Sequence, residues 1–117
     1  MTNGKPNVKA AIREMSEVSG EMIEALVEQR LLAQKALDAL DAGDDLRTVV
    51  ESLSVGCARL RTQLAEANLD STRARTRSVV MQACLEEGMT IKQIARLWDV
   101  SPQLVSRHTT RRSKQRV

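Results

Sequence analysis

From Val8 to Leu40 the chain carries no proline, and Gly20 is its one glycine. Steps of four and three residues from Val8 land on Ile12, Met15, Ser19, Met22, Leu26, Gln29, Ala33, Ala36 and Leu40, and eight of these ten positions are apolar. That period is the seam of a long amphipathic helix with coiled-coil-like packing. Ile23, Val27 and Leu31 widen the apolar face beyond one partner, which favours a bundle over a two-stranded coil. Asp41-Ala42-Gly43-Asp44-Asp45 interrupts the pattern: glycine suits a helix end, and an aspartate supplies the next N-cap. The pattern predicts a second helix from about Asp45 to Leu69 with Leu46, Val50, Leu53, Cys57, Leu60, Leu64 and Ala67 as its seam. A short connection makes two such helices antiparallel neighbours, so residues 8–69 read as a helical hairpin. Ser54, Gly56, Cys57 and Ala58 form a small-residue patch open to a close helix approach, although Gly56 costs roughly 1 kcal/mol against alanine.

The rest of the chain changes character. Asn68 to Thr72 reads as a joint, with Asp70 or Ser71 capping a third helix over 72–87. No glycine or proline lies between Gly56 and Gly88, so a continuous helix over 45–87 stays open as well. The third segment exposes Arg73, Arg75 and Arg77 and buries some of Val79, Val80, Ala83, Cys84 and Leu85. Gly88-Met89 ends it, and Thr90 caps a short helix from Ile91 to Trp98. A turn at Asp99 follows, and Ser101 caps a last helix that opens with Pro102 and runs to about Arg112. Residues 1–7 (with Gly4 and Pro6) read as a disordered start, 72–112 as a tri-helical head, and 113–117 as a frayed basic tail.

Within that head, Ile91–Thr110 has the spacing of a helix-turn-helix. Small Ala95 lets two helices cross closely, and Asp99, four residues on, must turn the chain. Val105 and His108 belong to the buried side of the last helix, against Ile94, Ala95, Trp98 and Val100. Such a helix lies in the major groove of DNA. Its outward side then holds Gln103, Ser106, Arg107 and Thr110 as base-contacting candidates. Arg107 suits O6 and N7 of guanine, and Gln103 suits adenine. Arg73, Arg75, Arg77, Lys92, Arg96, Ser101, Arg111 and Arg112 are candidates for phosphate contacts.

Gly88-Met89-Thr90, Lys92, Ile94-Ala95, Leu97, Val100-Ser101, Val105 and His108 resemble the helix-turn-helix of LuxR/FixJ-type response regulators and, more loosely, sigma-factor region 4. The resemblance covers roughly residues 75–112 and implies promoter binding through the last helix. The chain departs from the pattern in three places. Thr109–Arg116 lacks the apolar seam of the family's fourth helix, Asp99 stands where many relatives have glycine, and residues 1–70 do not fit a receiver or ligand-binding domain.

Charge sharpens the division. Residues 1–70 hold 8 Lys/Arg and 12 Asp/Glu (8 − 12 = −4), whereas residues 71–117 hold 10 and 3 (10 − 3 = +7). A basic module joined to an acidic one fits a nucleic-acid-binding head carried by a solvated assembly module. Glu14, Glu17, Glu21, Glu24 and Glu28 crowd the first helix and read as a solvated face. Phe and Tyr are absent and Trp98 is the one aromatic residue, so the core relies on aliphatic side chains and self-association is expected to complete it. The expected dimer interface is Leu46, Val50, Leu53, Cys57, Leu60 and Leu64. A twofold dimer would set its heads about 34 Å apart, one turn of DNA.

Other chemistry finds little support. Cys57 and Cys84 form neither a CxxC nor a disulfide framework, and His108 is the single histidine. No glycine-rich phosphate loop or paired-carboxylate pocket is legible, so no enzyme activity, metal or cofactor is expected. No run approaches the roughly 18 apolar residues of a membrane span, and no apolar signal region follows Met1. The high share of arginine over lysine hints at a GC-rich bacterial, phage or plasmid source.

The sequence thus predicts an all-α, cytoplasmic, nucleoid-associated homodimer. In it an antiparallel hairpin forms a four-helix bundle and a tri-helical head binds double-stranded DNA as a sequence-specific transcription regulator. The alternative is an adaptor whose hairpin binds another protein while the basic head only localises it to DNA. A purely structural helical adaptor is the third possibility.

Overall fold

A computed structural model describes residues 4–115, with side chains described over 6–109. These residues form five α-helices and no strand: α1 (Gly4–Asp41), α2 (Leu46–Ser52), α3 (Val55–Glu86), α4 (Ile91–Trp98) and α5 (Pro102–Gln115). The chain is all-α, as its hydrophobic periods require.

Both outer boundaries differ from the pattern-based ones. α1 starts at Gly4, so residues 4–7 are helical where a disordered start was expected. Pro6 is tolerated because it falls in the first turn, where its missing N–H has no intrahelical partner to lose. α5 continues to Gln115, taking in Ser113, Lys114 and Gln115 of the expected tail. Lys and Gln are good helix formers, and neither glycine nor proline stops them. Residues 1–3 and 116–117 lie outside the described residues.

Two internal junctions also move. The helix predicted over 45–69 breaks at Leu53-Ser54, where Ser54 takes a left-handed φ of +50°. The stretch Ser52-Leu53-Ser54-Val55-Gly56 contains two serines, a β-branched residue and a glycine, all weak helix formers. Ser52 Oγ donates to the Val49 carbonyl at 3.1 Å, the kind of local bond that competes with helix propagation. Conversely, the joint expected at Asn68–Thr72 is absent, and α3 runs straight through it. Of the two expected caps, Ser71 accepts from Arg75 Nη1 at 3.0 Å, and the threonines that follow bond to α1. Thr72 Oγ1 donates to Glu14 at 3.4 Å, and Thr76 Oγ1 donates to the Ala11 carbonyl at 3.3 Å.

Three helix ends close in the same way. At Gly43 (φ +100°), Gly88 (φ +104°) and Asp99 (φ +56°) the backbone turns left-handed. The residue after each donates its N–H back to the helix: Asp44 to the Ala39 carbonyl at 3.1 Å, Met89 to Cys84 at 3.1 Å and Val100 to Ala95 at 3.0 Å. Each end is a Schellman motif, which satisfies carbonyls otherwise left without partners. The following helices are capped in turn. Asp45 accepts from the Thr48 N–H at 2.8 Å, and these bonds hold its carboxyl below the usual aspartate range. Thr90 and Gln93 form a reciprocal capping box at 3.1 and 2.9 Å.

Contacts divide the chain into two compact units. The second unit, Ser16–Asp70, holds the greater part of α1, all of α2 and the start of α3. Half-buried Val18, Met22, Ala25, Leu32, Ala36 and Ala39 form one stripe, and Ala58, Thr62, Ala65 and Leu69 form another. Arg61 and Glu28 link the two helices at 3.0 Å. Small Ala33, Ala36 and Ala58 leave a groove of about 480 Å³ between them, bordered by Gln29, Arg59 and Glu66. Val49 of α2 is buried here, a residue that the expected seam left out. Of that seam, Leu53 is half-buried, whereas Leu46, Val50, Cys57, Leu60 and Leu64 are exposed in the single chain. Leu60 and Leu64 show 57% and 58% of their surface to solvent.

The first unit joins Met1–Met15 to Ser71–Val117. Met81 of α3, Ile94 and Ala95 of α4, and Val105 of α5 are buried together. Cys84, Leu85, Met89, Ile91, Trp98 and Val100 pack around them. One core therefore ties three helices to each other, and α5 is held by its Val105 side.

Candidate nucleic-acid interface

The geometry of α5 follows from two turns of helix. Val105 and Thr109, four residues apart, are both fully buried, and Thr109 Oγ1 donates to the Val105 carbonyl at 2.8 Å. Gln103 and Arg107, also four apart, are exposed on the opposite side. Ser106 falls between the two rows and is half-buried. Thr110, Arg111 and Arg112 lie outside the residues whose side chains are described. Ser101 is exposed and caps the helix by accepting the Leu104 N–H at 3.1 Å, which leaves its hydroxyl hydrogen to donate.

The connection from α4 fixes how that side is presented. Asp99 adopts φ 56°, ψ 48° at the end of α4, three residues join it to α5, and Ala95 of α4 and Val105 of α5 are buried in the same cluster. Lys92 and Arg96 are exposed on α4. Trp98 is half-buried and packs on the core, as its position one turn after Ile94 predicts.

The arginines of α3 do not form one uniform row, because an i, i+2 spacing spreads them around the helix. Arg73 is exposed. Arg75 is occupied: it is ion-paired with Glu14 and also donates to Ser71 Oγ at 3.0 Å and Thr72 Oγ1 at 3.3 Å. Arg77, expected to be exposed, is half-buried instead. The residue after it bonds to α5. Ser78 Oγ and His108 Nδ1 lie 2.6 Å apart. Burial first, and then the positive charges of Arg77 and Arg107, push His108 below its usual imidazole range.

Three of these residues were not legible as part of the head. Thr109 had a signal, since it stands one turn after Val105, but its polar side chain masked it. Ser78 and Glu14 had none, because their partners lie 30 and 61 residues away.

No group of His, Cys, Asp and Glu able to hold a metal ion occurs among the described residues. No helix among them is long and apolar enough to cross a membrane. Comparison with protein-family models, curated proteins and solved structures finds no match to this chain.

Proposed function

We propose that this protein is a small sequence-specific DNA-binding regulator in which α4, the Asp99 turn and α5 act as a helix-turn-helix. α5 enters the major groove, Gln103 and Arg107 read base edges, and Lys92, Arg96 and Ser101 contact phosphates. The observation that carries this reading is the two-sidedness of α5: Val105 and Thr109 are buried, while Gln103 and Arg107 stand exposed opposite them. The basic excess of residues 71–117 and the resemblance to LuxR/FixJ-type heads point the same way.

The hairpin of α1 with α2 and α3 serves assembly. Leu46, Val50, Cys57, Leu60 and Leu64 meet the same residues of a second copy, so the functional unit is a homodimer that binds inverted half-sites. The size of this exposed apolar row also supports a second reading, in which the hairpin binds a different protein and the head only localises the complex.

Selection of bound sequences from random duplex DNA tests both. A regulator yields a defined motif at physiological salt, whereas a localising head yields weak, salt-labile binding without one. Arg107→Ala is expected to relax preference at one base position by about 1–3 kcal/mol. An unchanged motif in that variant would refute the groove assignment.

A further inference from the structure

Most basic side chains with a defined partner are neutralised by a carboxylate: Arg47 by Glu51, Arg61 by Glu28 and Arg75 by Glu14. Arg77 and Arg107 form no ion pair among the described residues. Arg77 and Arg107 are the immediate chain neighbours of Ser78 and His108, which bond at 2.6 Å, and the positive charge of each acts on the His108 ring. His108 thus feels two positive charges, neither of them ion-paired among the described residues. Half-burial of Arg77 and His108 makes that repulsion more costly than on an open surface.

The position is informative. On α5, His108 lies 100° around the helix from Arg107, at the flank that faces α3, so a groove-bound α5 would carry it at the groove edge. Phosphates line that edge. We propose that Arg77 and His108 grip one backbone phosphate of duplex DNA beside the base-reading row of Gln103 and Arg107. The proposal rests on the groove reading above.

The chemistry follows from the ring's two nitrogens. When Ser78 donates to Nδ1, the neutral ring carries its hydrogen on Nε2 and donates it to a phosphate oxygen. A further proton lets Nδ1 donate to Ser78 and adds a charge for the phosphate. Arg77 contributes a planar fork matched to two phosphate oxygens. The charged groups acting on His108 are Arg77 from α3 and Arg107 from α5 itself, both positive. Arg111 and Arg112 follow within the next turn of α5. A bound phosphate reverses the local field and favours the protonated ring.

His108 is the single histidine, so one imidazole resonance reports the site by NMR. Its titration is followed in the full-length protein alone, with a duplex carrying the selected motif, and with inorganic phosphate. Without DNA the midpoint falls below the ordinary 6.5. With bound duplex it rises by about one unit, and the duplex binds up to roughly tenfold tighter at pH 6 than at pH 8. His108→Gln keeps a neutral donor and loses that tightening, and Arg77→Ala lowers the salt slope of binding by about one. Bound duplex with an unmoved His108 midpoint overturns the phosphate grip and leaves the groove reading standing. The same rise with inorganic phosphate alone identifies a free-anion site and overturns the backbone assignment. No duplex binding at low salt removes the groove reading, and this inference with it.

Discussion

Thr109 donates its hydroxyl to the Val105 carbonyl one turn earlier, and both residues are sealed from solvent. The bond lets a polar side chain occupy a core position, because its hydrogen is satisfied inside the same helix. Thr109→Glu places a charge there without a partner and is expected to cost about 3 kcal/mol or more. Arg107→Ala, two residues away on the open side, should stay within about 0.5 kcal/mol. Urea unfolding of the two variants measures this contrast. Equal losses would mean that α5 is seated by a different side.

Acid is expected to weaken the seat of α5. His108 titrates below its unfolded value of 6.5, first because of burial and then because of Arg77 and Arg107. The unfolded chain therefore takes up the proton more readily than the folded one. The stabilisation is complete above pH 6.5 and is lost as pH falls toward the lower folded value. Thermal unfolding between pH 8 and pH 5 should show a midpoint that declines below neutrality, and His108→Gln should flatten that part of the curve.

Asp99 holds a left-handed conformation that glycine adopts without strain. Asp99→Gly should raise stability by about 0.5–1 kcal/mol, and Asp99→Val should lower it by at least as much. Unfolding free energies of the pair decide the matter; a loss with glycine would show that the aspartate side chain contributes more than the turn costs.

Leu60 and Leu64 are more than half exposed in the single chain. Their replacement by aspartate should leave the helical content unchanged and shift the sedimentation coefficient from dimer to monomer. A wild-type protein that sediments as a monomer at high concentration would remove the homodimer proposal.

The thiols offer an independent check on the same face. Cys57 is exposed, whereas Cys84 is half-buried, and burial with the nearby Glu87 charge pushes its thiol up. Because the thiolate is the reactive form, Cys57 should react with a maleimide well before Cys84. If a second copy covers the Leu60 row, the Cys57 rate should fall as protein concentration rises.

The helices of this chain are local facts, and the sequence displays them openly. Hydrophobic spacing marks α1, and Gly43, Gly88 and the capping residues Asp45, Thr90 and Ser101 mark where helices end and begin. The Ile94, Ala95 and Val105 positions of the core were readable for the same reason, since a helix face is set by residues three and four apart. Where local signals are weak, tertiary contacts decide where helices end. Asn68–Thr72 resembles a cap, yet Thr72 and Thr76 bond to α1 and the helix continues. Leu53-Ser54 sits inside an apolar seam that hides the break.

Sequence alone determined that the protein is helical, acidic in its first part and basic in its last, with a turn at Asp99 and a helix after it. Those properties depend on neighbours within a few residues. Tertiary structure decided which side of α5 is buried at Thr109, that Arg75 belongs to Glu14, and that Ser78 meets His108. Each of these contacts joins residues that no period or cap relates, or fills a core position with a polar group, so only the folded chain could assign them.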